Sequence, residues 1–188
     1  MSTDNLHIVT GAPGTGKTTV IEHRGFRYFD TVGEPAREII AERQAPGRRG
    51  GFSGPASEFV ELLVQRSIRK HEIAVATSEL TIFDRGLPDC VAYALYLGVD
   101  PTPSIEAATR FRYAGQVFLL TPWEEIYTTD SDRIMTYEMT VAFHDRVVEA
   151  YGLLGYELLE VPQARVIDRV EFIIDHLDDV REAIIRRL

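Results

Sequence analysis

Leu6-His7-Ile8-Val9-Thr10-Gly11-Ala12-Pro13-Gly14-Thr15-Gly16-Lys17-Thr18-Thr19 reads as a short apolar strand that runs into G-x-x-x-x-G-K-T, the pattern of a Walker A phosphate loop. The glycines let backbone N–H groups turn inward around an anion. The helix that follows adds unpaired N-terminal donors and the positive end of its dipole. Lys17 has the reach for β- and γ-phosphates, and the Thr18 hydroxyl can sit on Mg²⁺. A plain Gly/Pro turn between strand and helix would need neither the lysine nor the hydroxyl at these offsets. Gly11, Ala12, Pro13, Gly14, Thr15, Gly16, Lys17, Thr18 and Thr19 are therefore expected to hold the phosphates of ATP (or GTP) together with Mg²⁺.

The bulk properties narrow the setting. A chain of 188 residues is expected to form one domain, residues 1–188, with material for a full core. With 45% hydrophobic and 26% charged residues, its composition is that of a globular protein. Met1 to Asn5 is polar, unlike a signal peptide, and no apolar run approaches a membrane span. Cys90 is the one cysteine, which leaves no internal disulfide and no thiolate metal site. The five histidines have no ligand-like spacing. A cytoplasmic protein, monomer or homodimer, without a membrane partner is expected. The formal charge of −9 argues against coating nucleic acid. Lys17 and Lys70 are the only lysines.

Outward from the phosphate loop, Thr18 to Arg24 reads as a helix ended by Gly25. Phe26 to Val32 has the aromatic and β-branched content of a second strand. Pro35 suits the first turn of a helix reaching Gln44. Ala45 to Pro55 is too rich in Gly and Pro for regular structure. It is either a surface loop or a segment whose Arg48 and Arg49 close over an anionic ligand. Phe59, Val60, Leu63, Val64 and Ile68 have helical spacing within Ala56 to about Ala76. Leu80 to Asp84 is a third strand, apolar throughout as in a parallel sheet covered on both faces. Helices are expected over Pro88 to Leu97, Ser104 to Tyr113 and Tyr137 to Leu154. The last of these would have Tyr137, Val141, Val148 and Tyr151 on one face. Gln116 to Leu120 and Tyr156 to Val161 are the fourth and fifth strands. Asp168 and Glu171 have capping-box spacing, and Ile167 and Phe172 staple spacing. Val170, Ile173, Leu177, Val180, Ile184 and Leu188 form the apolar stripe of a closing helix. This alternation predicts an α/β fold: a three-layer α/β/α sandwich around a five-stranded parallel sheet.

In such sheets ligands sit beyond the carboxyl ends of the strands. Charged residues gather there: Glu34 and Arg37 after strand two, Asp84, Arg85 and Asp89 after strand three, Asp130 and Arg133 after strand four. Leu80 to Asp84 fits a Walker B strand, whose Asp holds Mg²⁺ directly or through water. A second carboxylate commonly follows that Asp in hydrolases. Here Arg85 follows, a cation that stabilises charge on a transferring phosphoryl group and cannot act as a base. Transfer to a bound acceptor is favoured over hydrolysis. Glu34 is the candidate base; position alone equally allows it to be a cap of the next helix.

These residues together resemble the small phosphate-loop proteins of the kinase-like class, the predicted-ATPase group allied to nicotinamide riboside kinases. The motifs are also similar to those of deoxynucleoside kinases. The likeness is carried by Glu34-Pro35-Ala36-Arg37, by Asp84-Arg85-Gly86-Leu87-Pro88-Asp89 through Tyr93, and by Val117 to Leu120 with Pro122-Trp123. Asp130 with Arg133, and Gly155-Tyr156-Glu157 through Pro162, extend it over nearly the whole chain. The resemblance implies a P-loop NTPase of the nucleoside/nucleotide-kinase-like kind. Lys17, Glu34, Asp84, Arg85 and Arg133 would then be catalytic, with Glu34 as base and Arg133 as a lid arginine. Glu34, Arg37, Arg85 and Asp89 would face the acceptor; Thr18 and Asp84 would hold the metal. The chain departs from the deoxynucleoside kinases in its lid: Trp123 to Met135 holds one arginine. Arg110 and Arg112 are the other cations offered to it.

The expected function is transfer of the γ-phosphoryl group of a Mg-nucleotide to a hydroxyl-bearing small molecule, nucleoside-like or other. The alternative is a nucleotide-binding regulatory ATPase or GTPase switch. No Asn-Lys-x-Asp guanine-reading motif is present, and a full AAA+ motor would need a further helical lid domain.

Overall fold

The structure is a computed structural model and describes residues 3–43, 52–127 and 135–177. Among these residues five strands form one parallel sheet: β1 (Leu6–Gly11), β2 (Asp30–Val32), β3 (Thr81–Asp84), β4 (Gln116–Leu120) and β5 (Glu157–Glu160). Their order is β2-β3-β1-β4-β5. The helices are α1 (Lys17–Ile21), α2 (Pro35–Glu42), α3 (Ala56–Thr77), α4 (Leu87–Leu97), α5 (Thr102–Arg110), α6 (Tyr137–Leu153) and α7 (Val166–Asp175). None of the described helices is long and apolar enough to cross a membrane.

Strand side chains alternate between faces, and two cores result. Leu6 and Ile8 of β1, Phe83 of β3, and Val117 and Leu119 of β4 pack under α2 to α6. Val9, Ile82, Phe118 and Leu120 point the other way, onto Val20 and Ile21 of α1 and Val170 and Ile173 of α7. The sheet is thus the middle of three layers, as its doubly covered, apolar strands require. β1 lies between β3 and β4, with Val9 in register with Asp84 and Phe118. The chain therefore leaves the carboxyl end of the central strand as the phosphate loop. Gly11 marks the exit. Its φ is +139°, and a Cβ there would stand 2.2 Å from the Leu120 carbonyl oxygen, so only glycine fits beside β4.

Several local expectations are corrected. The second strand does not begin at Phe26: α1 stops at Ile21, and a 3-10 turn covers Arg24–Phe26. The His23 Nδ1 accepts the Gly25 N–H at 3.2 Å to start that turn. Phe26 and Phe29 pack edge to face at 5.9 Å in the same core. Two aromatics three residues apart on one side is turn spacing, not strand alternation. Helix α6 buries Thr140, Phe143, Val147, Ala150 and Tyr151, whereas Val141 and Val148 are 38% and 41% exposed. Packing of Phe143 between Tyr93 and Tyr96 of α4, with centroids 4.7 and 5.3 Å away, decides which stripe faces inward. Helix α5 ends at Arg110, so Tyr113 lies beyond it in the core. Helix α7 starts at Val166 after Arg165, and Asp168 lies in its first turn, held by Arg165 at 2.7 and 2.8 Å. An acid there is favoured by the helix dipole, so capping-box spacing misplaced the boundary. Ile167 is 38% exposed, and Phe172, its expected staple partner, stacks on the His176 ring at 4.3 Å. Val180, Ile184 and Leu188 lie outside the described residues.

Candidate active site

The phosphate loop is held from several sides. Gly14 and Gly16 take φ values of +85° and +82°, and Gly16 is the residue that caps α1. The Thr15 hydroxyl donates to the Ala12 carbonyl at 2.9 Å, across the loop. The Lys17 ammonium, 5% exposed, donates to the carbonyls of Gly11 and Ala12 at 2.9 and 3.1 Å. Carbonyls tied in this way leave the intervening N–H groups free to converge on an anion.

Burial, with the neighbouring Arg85 charge, draws the Lys17 pKa down to about 8, against the opposing pull of Asp84, Glu34 and Asp89. Two opposite pH effects follow. The unfolded lysine keeps its proton up to 10.5, so between pH 8 and 10.5 the unfolded state binds more protons and the Lys17 contribution to stability rises with pH. Affinity for a triphosphate, which needs the ammonium, falls over the same interval. Titration calorimetry and urea denaturation at pH 7 and 9.5 are expected to show these opposite trends relative to Lys17→Met.

At the tip of β3, Asp84 is 5% exposed and its Oδ1 has no hydrogen-bond partner among the described residues. Burial foremost, with Glu34 nearby, raises its pKa despite Lys17 and Arg85. Arg85 adopts φ +72°, a costly conformation for a residue with a side chain. It aims the guanidinium back beneath the strand ends. Its Nε donates to Glu34 Oε1 at 2.7 Å and its Nη1 to Asp89 Oδ1 at 2.8 Å. The cation also lies 5.7 and 5.4 Å from the ring centroids of Tyr93 and Phe143, within the range of cation–π attraction.

Glu34 occupies the N-cap position of α2, yet its side chain makes no capping bond. Oε2 accepts from Arg37 Nε at 3.0 Å, and Oε1 takes the Arg85 bond and a long one from Tyr93 at 3.5 Å. Burial pushes this carboxyl up, but the charge of Arg85, then those of Lys17 and Arg37, outweigh it and bring the pKa to about 2. The cap reading therefore does not account for the carboxylate.

Asp89 does not line an open site. It is 1% exposed and accepts from the Thr10 and Tyr151 hydroxyls, each at 2.6 Å, the Gly86 N–H at 2.9 Å and Arg85. Its carboxylate is saturated, and it ties β1, the β3 tip and α6 to one point. Removing one member of such a buried charged network costs about 3–5 kcal/mol. Urea denaturation of Asp89→Ala is expected to register a loss of that size, and of Tyr151→Phe about 1 kcal/mol.

A cavity of about 290 Å³ opens between α1, the β2–α2 junction and β3, with Thr18, Glu22, Gly33, Glu34, Arg37 and Asp84 in its wall. No cluster of three or more His, Cys, Asp or Glu able to hold a metal occurs among the described residues. Mg²⁺ needs none: one or two protein oxygens plus phosphates and waters suffice. The orphaned Asp84 oxygen and the Thr18 hydroxyl in one cavity fit that pattern.

Lys17, Thr18, Glu34, Arg37, Asp84 and Arg85 thus meet at the carboxyl ends of the strands. Thr19 is exposed on α1. Arg110 and Arg112 precede β4 at the amino end of the sheet, and Arg112 stacks on Tyr156 at 4.0 Å and donates to the Leu154 carbonyl. They cannot serve a lid at the other end. Asp130, Arg133, Arg48 and Arg49 lie outside the described residues. One participant was not foreseen: Arg169 of α7 donates through Nη2 to the Thr15 carbonyl at 2.7 Å. Read in sequence, it is one charged residue in a packing helix.

A five-stranded parallel sheet whose central strand opens into this loop defines a P-loop NTPase of nucleotide-kinase-like fold. Residues 6–169 match the model of a family described as an AAA domain, and the chain belongs to that family. Among solved structures, thymidylate kinase from Candida albicans superposes with a TM-score of 0.62 at 12% identity, over 95% of this chain and 92% of that one. At that identity the likeness is one of fold. Comparison with curated proteins gives no match.

Proposed function

We propose that this chain, as a single kinase-like domain, is an ATP-dependent phosphotransferase that moves the γ-phosphoryl group of a Mg-nucleotide to a hydroxyl of a small molecule. One observation carries the reading: the residue after Asp84 is a buried arginine paired with Glu34, 2.7 Å away, at the edge of the cavity that Thr18 and Asp84 share. In this reading Lys17 and the loop N–H groups bind the β- and γ-phosphates, and Thr18 and Asp84 hold Mg²⁺, which neutralises phosphate charge. Arg85 stabilises charge at the transferring group and orients Glu34 toward the acceptor hydroxyl. Asp89 acts through Arg85 as a positioning residue. Arg133 is kept as the lid arginine.

A carboxylate with a pKa of about 2 is a weak base, and this favours a second reading, a nucleotide-driven switch. The phosphotransferase stands because phosphoryl transfer has a loose transition state. The hydroxyl proton leaves late, so Glu34 needs to orient that hydroxyl more than to deprotonate it.

The acceptor class is constrained by charge. Among the described residues lining the cavity, Arg37 is the cation, and it is engaged with Glu34 at 3.0 Å, while Glu22, Glu38 and Asp84 add further carboxylates to the wall. Such a wall suits an acceptor without a phosphate better than a nucleoside monophosphate. The test is ATP–Mg²⁺ against a panel of nucleosides, nucleotides and antibiotics, with phosphorylated product detected by mass. A neutral or cationic alcohol is the expected acceptor. Slow hydrolysis with no product on any acceptor would establish the switch instead.

A further inference from the structure

The buried cation that the reading above leaves unused is Arg169. It sits in the first turns of α7, 4% exposed, 154 positions along the chain from the loop it touches. Among the described residues its guanidinium has one acceptor, the Thr15 carbonyl at 2.7 Å, and its Nε has none. No carboxylate of the described residues forms an ion pair with it. Burial alone perturbs its pKa, downward. An arginine carries five donors, and a buried unpaired charge is costly. Its neighbourhood supplies the reason to tolerate that cost. A Cβ built on Gly16 would stand 3.0 Å from Nη1 and 3.7 Å from Nη2. The guanidinium therefore lies against the turn where the loop enters α1, the point at which a phosphate would be cradled.

Lys17 and Arg169 bracket the loop. Lys17 ties the Gly11 and Ala12 carbonyls from one side, and Arg169 ties the Thr15 carbonyl from the other. We infer that Arg169 is a positioning residue for nucleotide: it fixes the Thr15 peptide so that the adjoining N–H groups face the ligand, and the ligand's phosphates supply the counter-charge it lacks. The inference rests on nucleotide binding at the loop, as proposed above. It adds a cation from α7 to the side of the phosphate loop that Lys17 does not hold.

The experiment measures binding of MgATP, MgADP, AMP and adenosine by calorimetry to wild type, Arg169→Met and Arg169→Lys, with unfolding followed in urea. Arg169→Met is expected to bind MgATP about tenfold or more weakly. The loss should shrink from ATP to ADP to AMP and vanish for adenosine, because it follows phosphate charge. Arg169→Lys, which keeps the charge, should recover part of it, and the effect should weaken as salt screens the site. A packing residue would instead lower stability in both variants and leave the ATP-to-adenosine ladder parallel to wild type. Wild-type MgATP affinity in Arg169→Met overturns the inference and leaves nucleotide binding intact. Loss of the wild-type protein's own binding overturns the reading beneath it, and the inference with it. Should Arg169→Met fail to fold, Arg169→Lys still decides: a loss equal for all four ligands overturns the inference.

Discussion

MgATP affinity falls by about a hundredfold or more in Lys17→Ala, while the fold survives. The lysine is the one ammonium inside the phosphate loop, 5% exposed and within 3.1 Å of two loop carbonyls. Charge-assisted bonds to a triphosphate are each worth about 1.5–3 kcal/mol, and low local dielectric strengthens them. The free protein loses little, because its lysine is held charged against burial that draws the pKa to about 8. Truncation relieves that cost, and the Ala12 carbonyl keeps its bond from the Thr15 hydroxyl at 2.9 Å. Calorimetry should therefore show lost binding, and denaturation an unchanged or slightly raised midpoint. Thr18→Ala should keep much of the affinity and lose its dependence on Mg²⁺. Wild-type ATP affinity in Lys17→Ala would sink the nucleotide reading.

The second large effect separates catalyst from switch. Glu34→Gln is expected to leave ATP affinity within about threefold and to lower transfer to the identified acceptor by about a hundredfold or more. Glutamine keeps the shape and a hydrogen bond to Arg85 but removes the charge that Arg85 and Arg37 share. A stability cost of about 1–3 kcal/mol accompanies it, so rates are to be compared where both proteins are fully folded. The pH dependence has a defined sign. Glu34 titrates at about 2 in the fold against 4.5 unfolded. Its contribution to stability is complete above pH 4.5 and is lost as pH falls toward 2. Glu34→Gln should lack that acid-side component. Transfer at the wild-type rate in Glu34→Gln would mean that the pair with Arg85 is structural, and slow hydrolysis without an acceptor would favour the switch.

Much of this protein is local, and local features are legible in one dimension. Gly11 to Thr18 needs only its own residue types to make a phosphate loop, because φ freedom, a lysine at a fixed offset and a helix start are properties of neighbouring positions. The apolar runs Leu6 to Thr10, Leu80 to Asp84 and Gln116 to Leu120 announce a sheet covered on both faces, and their alternation with helices makes it parallel; the order of its strands came from the tertiary structure. The gathering of Glu34, Arg37, Asp84 and Arg85 at the strand ends follows from parallel topology alone. Tertiary structure decided what those charges do. Position allowed Glu34 to cap α2 or to face a reaction, and the Arg85 guanidinium, turned by a positive φ, draws it off the helix end. Asp89 stood beside the site in sequence and lies beneath it in space, because Thr10, Tyr151 and Arg85 arrive from three separate elements. Val141 and Val148 have the same helical spacing as a buried stripe, but Phe143 meeting Tyr93 chooses the other face. Arg169 shows the limit most clearly. Its 154-residue separation from Thr15 carries no local signal, and only the packing of α7 against α1 brings a lone charge to the phosphate loop.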